Sequence, residues 1–345
     1  MGESTSVTNG FSQSRMDQKI NGYIWDMDET LILLKSLLNG TYAEAFNGLK
    51  NIQEGVEIGK MWEKHILALC DDHFFYEQIE NCNKPSLDAL SQYDDGRNLS
   101  DYDFNQDGFG PPYDDSNNRK LAYRHRFIAH RYKQGLHSFL NQEMIKDLDE
   151  LYDMTDKYTD RWLSSVSEMH YASTLFSSII KHSSIVAQES CSSCINVARV
   201  FLEECSAGHK NTSLVAADGI KSSASKYQHV NLLVTSGSLI PSLVKCLLFR
   251  LDNMITDENV YSSWEVGKLQ CFQQIKVCFN HPNVRFCVIG DGWEECEAAQ
   301  AMRWPLVKID MRPGGSHRFP GLTSRTLGFY FSVVYGSSDA EDEEE

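Results

Sequence analysis

Hydrophobic positions along this chain fall into two kinds of run. Short, continuously apolar stretches occur at 20–30, at Val230–Ser236 (VNLLVTS), at Val284–Ile289 (VRFCVI) and at Pro305–Asp310 (PLVKID). Longer stretches carry apolar residues at helical spacing. They are Tyr42 to Phe75, with Met61, Trp62, Ile66 and Leu69 in step; Arg119 to Cys205, interrupted by Ser-rich pieces; Leu239 to Leu251; and Glu294 to Met302. Leu31 to Leu38 continues the first apolar run into helix. Strands that are continuously apolar and separated by helices predict an α/β fold, a parallel sheet covered on both faces. In such sheets functional groups collect at the carboxyl ends of the strands. Here those ends hold Asp26 and Asp28, Thr235 and Ser236, and Asp291.

Between the helical stretches, the segment from Asn81 to Asn118 becomes rich in Asp, Asn, Gly and Pro and reads as a long loop. The pattern divides the chain into a flexible leader (1–19), a discontinuous core (20–50 and 226–334), a helical cap inserted between its halves (51–225) and an acidic tail (335–345). A Ser-rich, low-charge stretch near 166–197 stands apart from its neighbours and reads as an insert in or near the cap.

Composition narrows the setting. The chain has 345 residues, 41% of them hydrophobic and 23% charged, an ordinary globular balance. Its net charge of −16 argues against direct nucleic-acid binding, which relies on basic surface to displace counterions. No apolar run is long enough to cross a bilayer and the first twenty residues lack a signal-peptide core, so no membrane is expected. The expected location is the nucleus and/or the cytoplasm, where the ten cysteines are reduced thiols.

The acids at the strand ends carry the candidate chemistry. In an ideal strand Asp26 and Asp28 share a face; if the chain turns there, Asp28 presents its main-chain carbonyl instead. Asp291 follows a buried strand between two glycines. Three carboxylates from two strands repel one another unless a cation joins them, and an all-oxygen site suits Mg²⁺. Glu295, one helical turn beyond Asp291, reads either as an acid holding a metal-bound water or as a helix-start acid favoured by the dipole. Ser236 ends a strand as a hydroxyl donor, and Lys268 starts a helix where its charge can neutralise a phosphoryl group.

The order acid pair, hydroxyl, lysine, acid resembles the haloacid-dehalogenase superfamily of phosphotransferases. WDMDETLILLKSLLNGTYA (Trp25 to Ala43), NLSDYDFNQDGF (Asn98 to Phe109), RKLAYRHR (Arg119 to Arg126), LVTSGSLIPSLVKCLL (Leu233 to Leu248) and VIGDGWEE (Val288 to Glu295) are similar to the Eyes absent family of that superfamily. The likeness runs from Gly22 to Val334. It implies a doubly wound parallel sheet of haloacid-dehalogenase type with an inserted all-helical cap. It also implies an Mg²⁺-dependent protein tyrosine phosphatase acting through a phosphoaspartate. By the same resemblance Asp26 matches the nucleophile and Asp28 the general acid/base. Asp26, the Asp28 carbonyl and Asp291 match the metal ligands, Glu295 falls where a further acid would hold a metal-bound water, and Thr30, Ser236 and Lys268 match the phosphate-binding positions. The implied partners are a phosphotyrosyl protein substrate and a transcription factor. Met27 departs from the family's usual Leu between the acids, a volume-conserving change.

Two other readings stay open: a small-molecule phosphatase of the same superfamily, and an adaptor for a transcription factor with secondary catalysis. Asp103, Asn105, Asp107 and Asp114 fit a calcium-loop spacing, but Pro111 and Pro112 fall where the exit helix should begin. Cys191 and Cys194 form a CxxC without a second pair for zinc. The basic run Arg119 to Lys133 reads as a solvated helix face, or alternatively as a surface that steers acidic phosphopeptides, with Arg124 and Arg126 as its test.

Overall fold

The computed structural model describes residues 19–168, 227–280, 282–315 and 317–336. The leader up to 18, the part of the expected insert beyond 168, the CxxC pair and the tail beyond 336 lie outside the described residues.

Five parallel strands form one sheet in the order β3-β2-β1-β4-β5. They are β1 (Lys19–Trp25), β2 (Tyr227–Thr235), β3 (Val260–Ser262), β4 (Val284–Gly290) and β5 (Leu306–Lys308). The helices used below are α1 (Leu34–Leu38), α2 (Ile52–Phe74), α3 (Asp115–Gln134), α4 (Gln142–Tyr158), α5 (Leu239–Leu248), α6 (Lys268–Cys278), α7 (Trp293–Met302) and α8 (Ser324–Tyr335). Because successive strand residues point to opposite faces, the apolar runs divide between two cores. Ile24, Leu232, Val234, Phe286 and Val288 pack with Phe272 and Ile275 of α6 and Ala298 of α7. Tyr23, Trp25, Leu233, Cys287 and Ile289 face the other way. They join α5, α8 and the helices α2, α3 and α4 in one continuous apolar cluster. The inserted helices are therefore seated on the sheet's own core rather than forming a core apart. Trp62 of α2 lies with its ring 4.3 Å from that of Phe249, and the Tyr132 hydroxyl of α3 donates to the Ile255 carbonyl at 2.7 Å.

Some elements depart from the sequence pattern for local reasons. The run from Tyr42 to Phe75 is not one helix: Asn47 and Gly48 adopt positive φ, and Asn51 then caps α2 by accepting from the amides of Gln53 and Glu54. The long helical run predicted from Arg119 resolves into α3, begun by an Asp114 cap, α4, begun by an Asn141 cap, and a further helical stretch at 162–168. Helix α1 starts only at Leu34, because the amides of Leu31 and Ile32 are bound back to the Met27 carbonyl. β3 was not foreseen: VYS is too short to read as an apolar run. The Ser262 amide of this edge strand donates to the Pro85 carbonyl at 2.8 Å, so the loop before α3 covers its exposed ladder groups.

The basic run corrects an expectation. Arg124 is not on a solvated face but is 1% exposed. Its guanidinium donates to both Asp107 oxygens at 2.7 and 3.2 Å, to Gln78 Oε1 and to the Phe104 carbonyl. It lies 4.5 Å from the Phe109 ring centroid. His125 beside it is also buried, and burial lowers its pKa to about 4. Asp107 is thus committed to an ion pair, and Asp103 closes a local turn onto the Asn105 amide, which leaves no calcium loop. Charge reversal at Arg124 would report on the fold and not on substrate steering.

Replacing Arg124 by Met should leave Asp107 buried without its cation and cost about 3–5 kcal/mol of stability. A urea midpoint shift corresponding to less than about 1 kcal/mol would contradict this structural role.

Candidate active site

β1 lies between β2 and β4, so the direction of strand succession reverses beside it, at the sheet's topological switch point. The Asp26 amide still donates to the Ile289 carbonyl at 2.9 Å, which fixes Asp26 one residue past the end of β1. The chain then turns. The Thr30, Leu31 and Ile32 amides all donate to the Met27 carbonyl, and the fully buried Met27 side chain anchors the turn in the core. Glu29 takes φ 64°, in the left-handed region where a side chain is strained.

That turn separates the two acids of the motif. Asp26 is 7% exposed and its Oδ1 accepts from the Lys268 ammonium. Asp28, with its side chain 35% exposed, is held through both oxygens by Lys245 at 2.8 and 3.0 Å. Of the two arrangements open from the sequence, the turning one is therefore observed. Asp291, just beyond β4, meets Asp26 through Thr30, whose hydroxyl lies 3.3 Å from Asp291 Oδ1 and 3.5 Å from Asp26 Oδ2.

Lys268 reaches the site because the loop before it is tied to β2. The amide and hydroxyl of Ser263 both donate to the Thr235 carbonyl, and the Gly267 amide closes onto Ser263. At 4% exposure its ammonium donates to Glu295 as well as to Asp26. Glu295 can fold beneath Asp291 because both flanking residues are glycine. A Cβ at Gly290 would lie 2.7 Å from Glu295 Cγ, and one at Gly292 2.3 Å from its Oε2. Glu295 Oε2 is buried with no hydrogen-bond partner among the described residues. Ser236 sits exposed on the rim and donates to Glu294 at 3.0 Å. Asp26, Thr30, Asp291, Lys268 and Glu295 are thus brought into one constellation, while Asp28 and Ser236 stand at its edge with partners of their own.

Burial dominates the electrostatics. It pushes the Asp26 carboxyl up to about 6, with Lys268 opposing and Asp291 and Asp28 reinforcing. Asp291 and Glu29 are raised in the same direction, again chiefly by burial. Among the described residues no three His, Cys, Asp or Glu side chains converge as a ready metal cage. Asp26 and Asp291 present carboxylate oxygens to the same hydroxyl, beside main-chain oxygens of the turn. Two hard anionic donors with room for carbonyl and water oxygens fit Mg²⁺, which keeps several waters, better than a metal that needs four side-chain ligands.

Lys245 and Glu29 were missed by sequence reasoning. Lys245 had a signal, as the charged residue within the otherwise apolar run LIPSLVKCLL. Glu29 had none, because its burial follows from the turn. From the inserted helices, Trp162 donates its indole N–H to the Thr30 carbonyl at 3.2 Å, which braces the turn from behind.

No family model matches the chain. It is 57% identical over 329 residues to protein phosphatase EYA of Arabidopsis thaliana, covering 95% of both chains. It is 29% identical to human protein phosphatase EYA2 and to Drosophila melanogaster protein phosphatase eya, in each case over 83% of its own length. It spans only 46% of the human protein and 33% of the fly one.

An ionised carboxylate as buried as Asp26 destabilises the metal-free fold. With its folded pKa about 6 against 3.8 unfolded, the neutral acid's stability is fully present below pH 3.8 and is lost as pH rises through 6. Asp26→Asn should therefore be more stable than wild type in chelator at pH 7.5, by up to about 2–3 kcal/mol. The gap should close as pH falls towards 4, and a variant equal to or less stable than wild type at pH 7.5 would contradict the burial argument.

Proposed function

The chain belongs to the Eyes absent family of protein phosphatases, and from that membership we propose that it is an Mg²⁺-dependent protein tyrosine phosphatase with Asp26 as its nucleophile. The family's activity makes phosphoric monoester hydrolysis the reaction, and the sheet is of the haloacid-dehalogenase type. The observation that carries the finer reading is the buried Asp26 carboxylate, bonded to Lys268 and set across Thr30 from Asp291.

In this reading an Asp26 oxygen attacks phosphorus in line with the leaving phenolate. The phosphorus–phenolate bond breaks as the aspartyl–phosphate bond forms, and Asp28, protonated once it is free of Lys245, gives that proton to the phenolate oxygen. Asp28, now a carboxylate, then takes a proton from water as that water attacks phosphorus, which releases inorganic phosphate and restores Asp26. Lys268 lies against the attacking carboxylate, where its ammonium stabilises the equatorial phosphoryl oxygens. Glu295 holds the lysine from the opposite side. Thr30 and Ser236 supply hydroxyl donors at the inner and outer ends of the same crevice. Asp26, Asp291 and the Asp28 main-chain carbonyl are the groups that would hold Mg²⁺, which when bound supplies positive charge to the phosphoryl oxygens. Asp28 starts clamped by Lys245, so its role includes leaving that clamp.

The test is hydrolysis of matched phosphotyrosine and phosphoserine peptides. Turnover of the phosphotyrosine peptide is expected, abolished by chelator and restored by Mg²⁺. Asp26→Asn should lower kcat by at least about a thousandfold, the scale of losing a covalent nucleophile. Turnover that survives chelation, or survives Asp26→Asn, would overturn the mechanism. Equal turnover of both peptides would overturn tyrosine specificity alone.

A further inference from the structure

A cavity of about 610 Å³ opens beside Ser236 and Lys268, on the flank of the crevice away from Asp291. One wall is the loop into α6, with Trp264 and Val266, together with Leu269 at the start of that helix; the other is α7. Along α7 the lining residues are Glu294, Glu297, Ala298 and Ala301, spaced i, i+3, i+4 and i+7, so a single stripe of the helix faces the groove. The small, exposed Ala301 on this stripe leaves room for a ligand, while its acids remain at the surface.

The charges of this groove are one-sided. Glu297 is exposed and has no hydrogen-bond or ion-pair partner among the described residues. Glu294 meets only the Ser236 hydroxyl among them. Among the described residues, the one cation in the lining is Lys268, which is buried and already bonded to Asp26 and Glu295. Trp264, 67% exposed, presents an indole, the aromatic ring that best attracts a cation. Two independent features, acids without a cationic partner among the described residues and an exposed indole, therefore favour a positively charged side chain.

We propose that this groove is a specificity subsite for a lysine or arginine flanking the phosphorylated tyrosine, with Glu297 and Trp264 as its recognising residues. The proposal rests on the phosphatase reading above, because the phosphate's place at Asp26 and Ser236 puts the neighbouring peptide residues against α7. It also reverses the sequence-based idea of a basic steering surface: the cation belongs to the substrate and the acid to the protein. Neither Glu297 nor Trp264 belongs to the catalytic machinery, so both can be altered without touching the chemistry.

The experiment compares Glu297→Lys and Trp264→Ala with wild type on three substrates: a phosphotyrosine peptide with flanking lysines, the same peptide with flanking glutamates, and a small aryl phosphate. Wild type should show a lower KM for the lysine peptide, and the preference should fade as salt screens the exposed charges. Glu297→Lys should raise KM for the lysine peptide about two- to fivefold, the scale of an exposed ion pair. It should not raise KM for the glutamate peptide, and it should leave aryl-phosphate turnover unchanged. Trp264→Ala should also raise KM for the lysine peptide while sparing the aryl phosphate. Normal aryl-phosphate turnover with no charge preference, or with both peptides shifted alike by Glu297→Lys, would overturn the subsite and leave the phosphatase reading intact. No wild-type turnover of the aryl phosphate would remove the phosphatase reading, and the subsite with it.

Discussion

The constraint on which the site depends is a lysine buried between two carboxylates. Lys268 is 4% exposed, with Asp26 and Glu295 on either side, in a place where an unpaired charge would cost several kcal/mol. Asp26 is the proposed reacting group, and Glu295 keeps the lysine compensated when Asp26 turns to phosphorus. The glycines on both sides of Asp291 exist in this light as space for Glu295, since a side chain at either one would occupy its position. A further consequence is that carboxylates are gathered at the strand ends, where burial raises the pKa values of Asp26 and Asp291. In the proposed function, a hard cation and a phosphoryl group together would be accommodated among these groups.

The fold delivers these groups by its order rather than by long-range reach. With β1 central, the residues after β1, β2 and β4 meet at one rim, and each catalytic candidate lies within a few residues of a strand end or a helix start. The inserted helices do not contribute a charge to that constellation among the described residues. They share the apolar core of one sheet face, and Trp162 bonds to the turn that carries Asp28 and Thr30. Their contribution at the site is therefore to stiffen that turn, whose left-handed Glu29 needs support from its surroundings.

Much of this was legible in the sequence because strand burial and strand ends leave strong marks. The runs around Val230, Val284 and Leu306 read as buried strands without ambiguity, and Asp26, Asp291 and Lys268 stand where those runs stop or a helix begins. What was not legible depends on turns and on tertiary partners. The separation of Asp26 from Asp28 follows from three amides converging on the Met27 carbonyl, which no periodicity reveals. Arg124 looked solvated because its neighbours on α3 are basic, yet Asp107, from a loop seventeen residues earlier, draws it into the interior. Glu295 read either as an acid for a metal-bound water or as a helix-start acid, and its lysine partner, which comes from a different helix, could not be read from its own neighbours.

The central claim is that Asp26 forms a covalent bond to phosphorus, and chemical trapping tests it most directly. Wild-type protein turning over a phosphotyrosine peptide with Mg²⁺ is quenched, treated with borohydride and digested for mass spectrometry. An acyl phosphate at Asp26 is reduced under these conditions to homoserine, so the account predicts homoserine at position 26 and at no other acid, dependent on substrate. Substrate-dependent reduction at Asp28 or Asp291, or active turnover with every aspartate left intact, would contradict it.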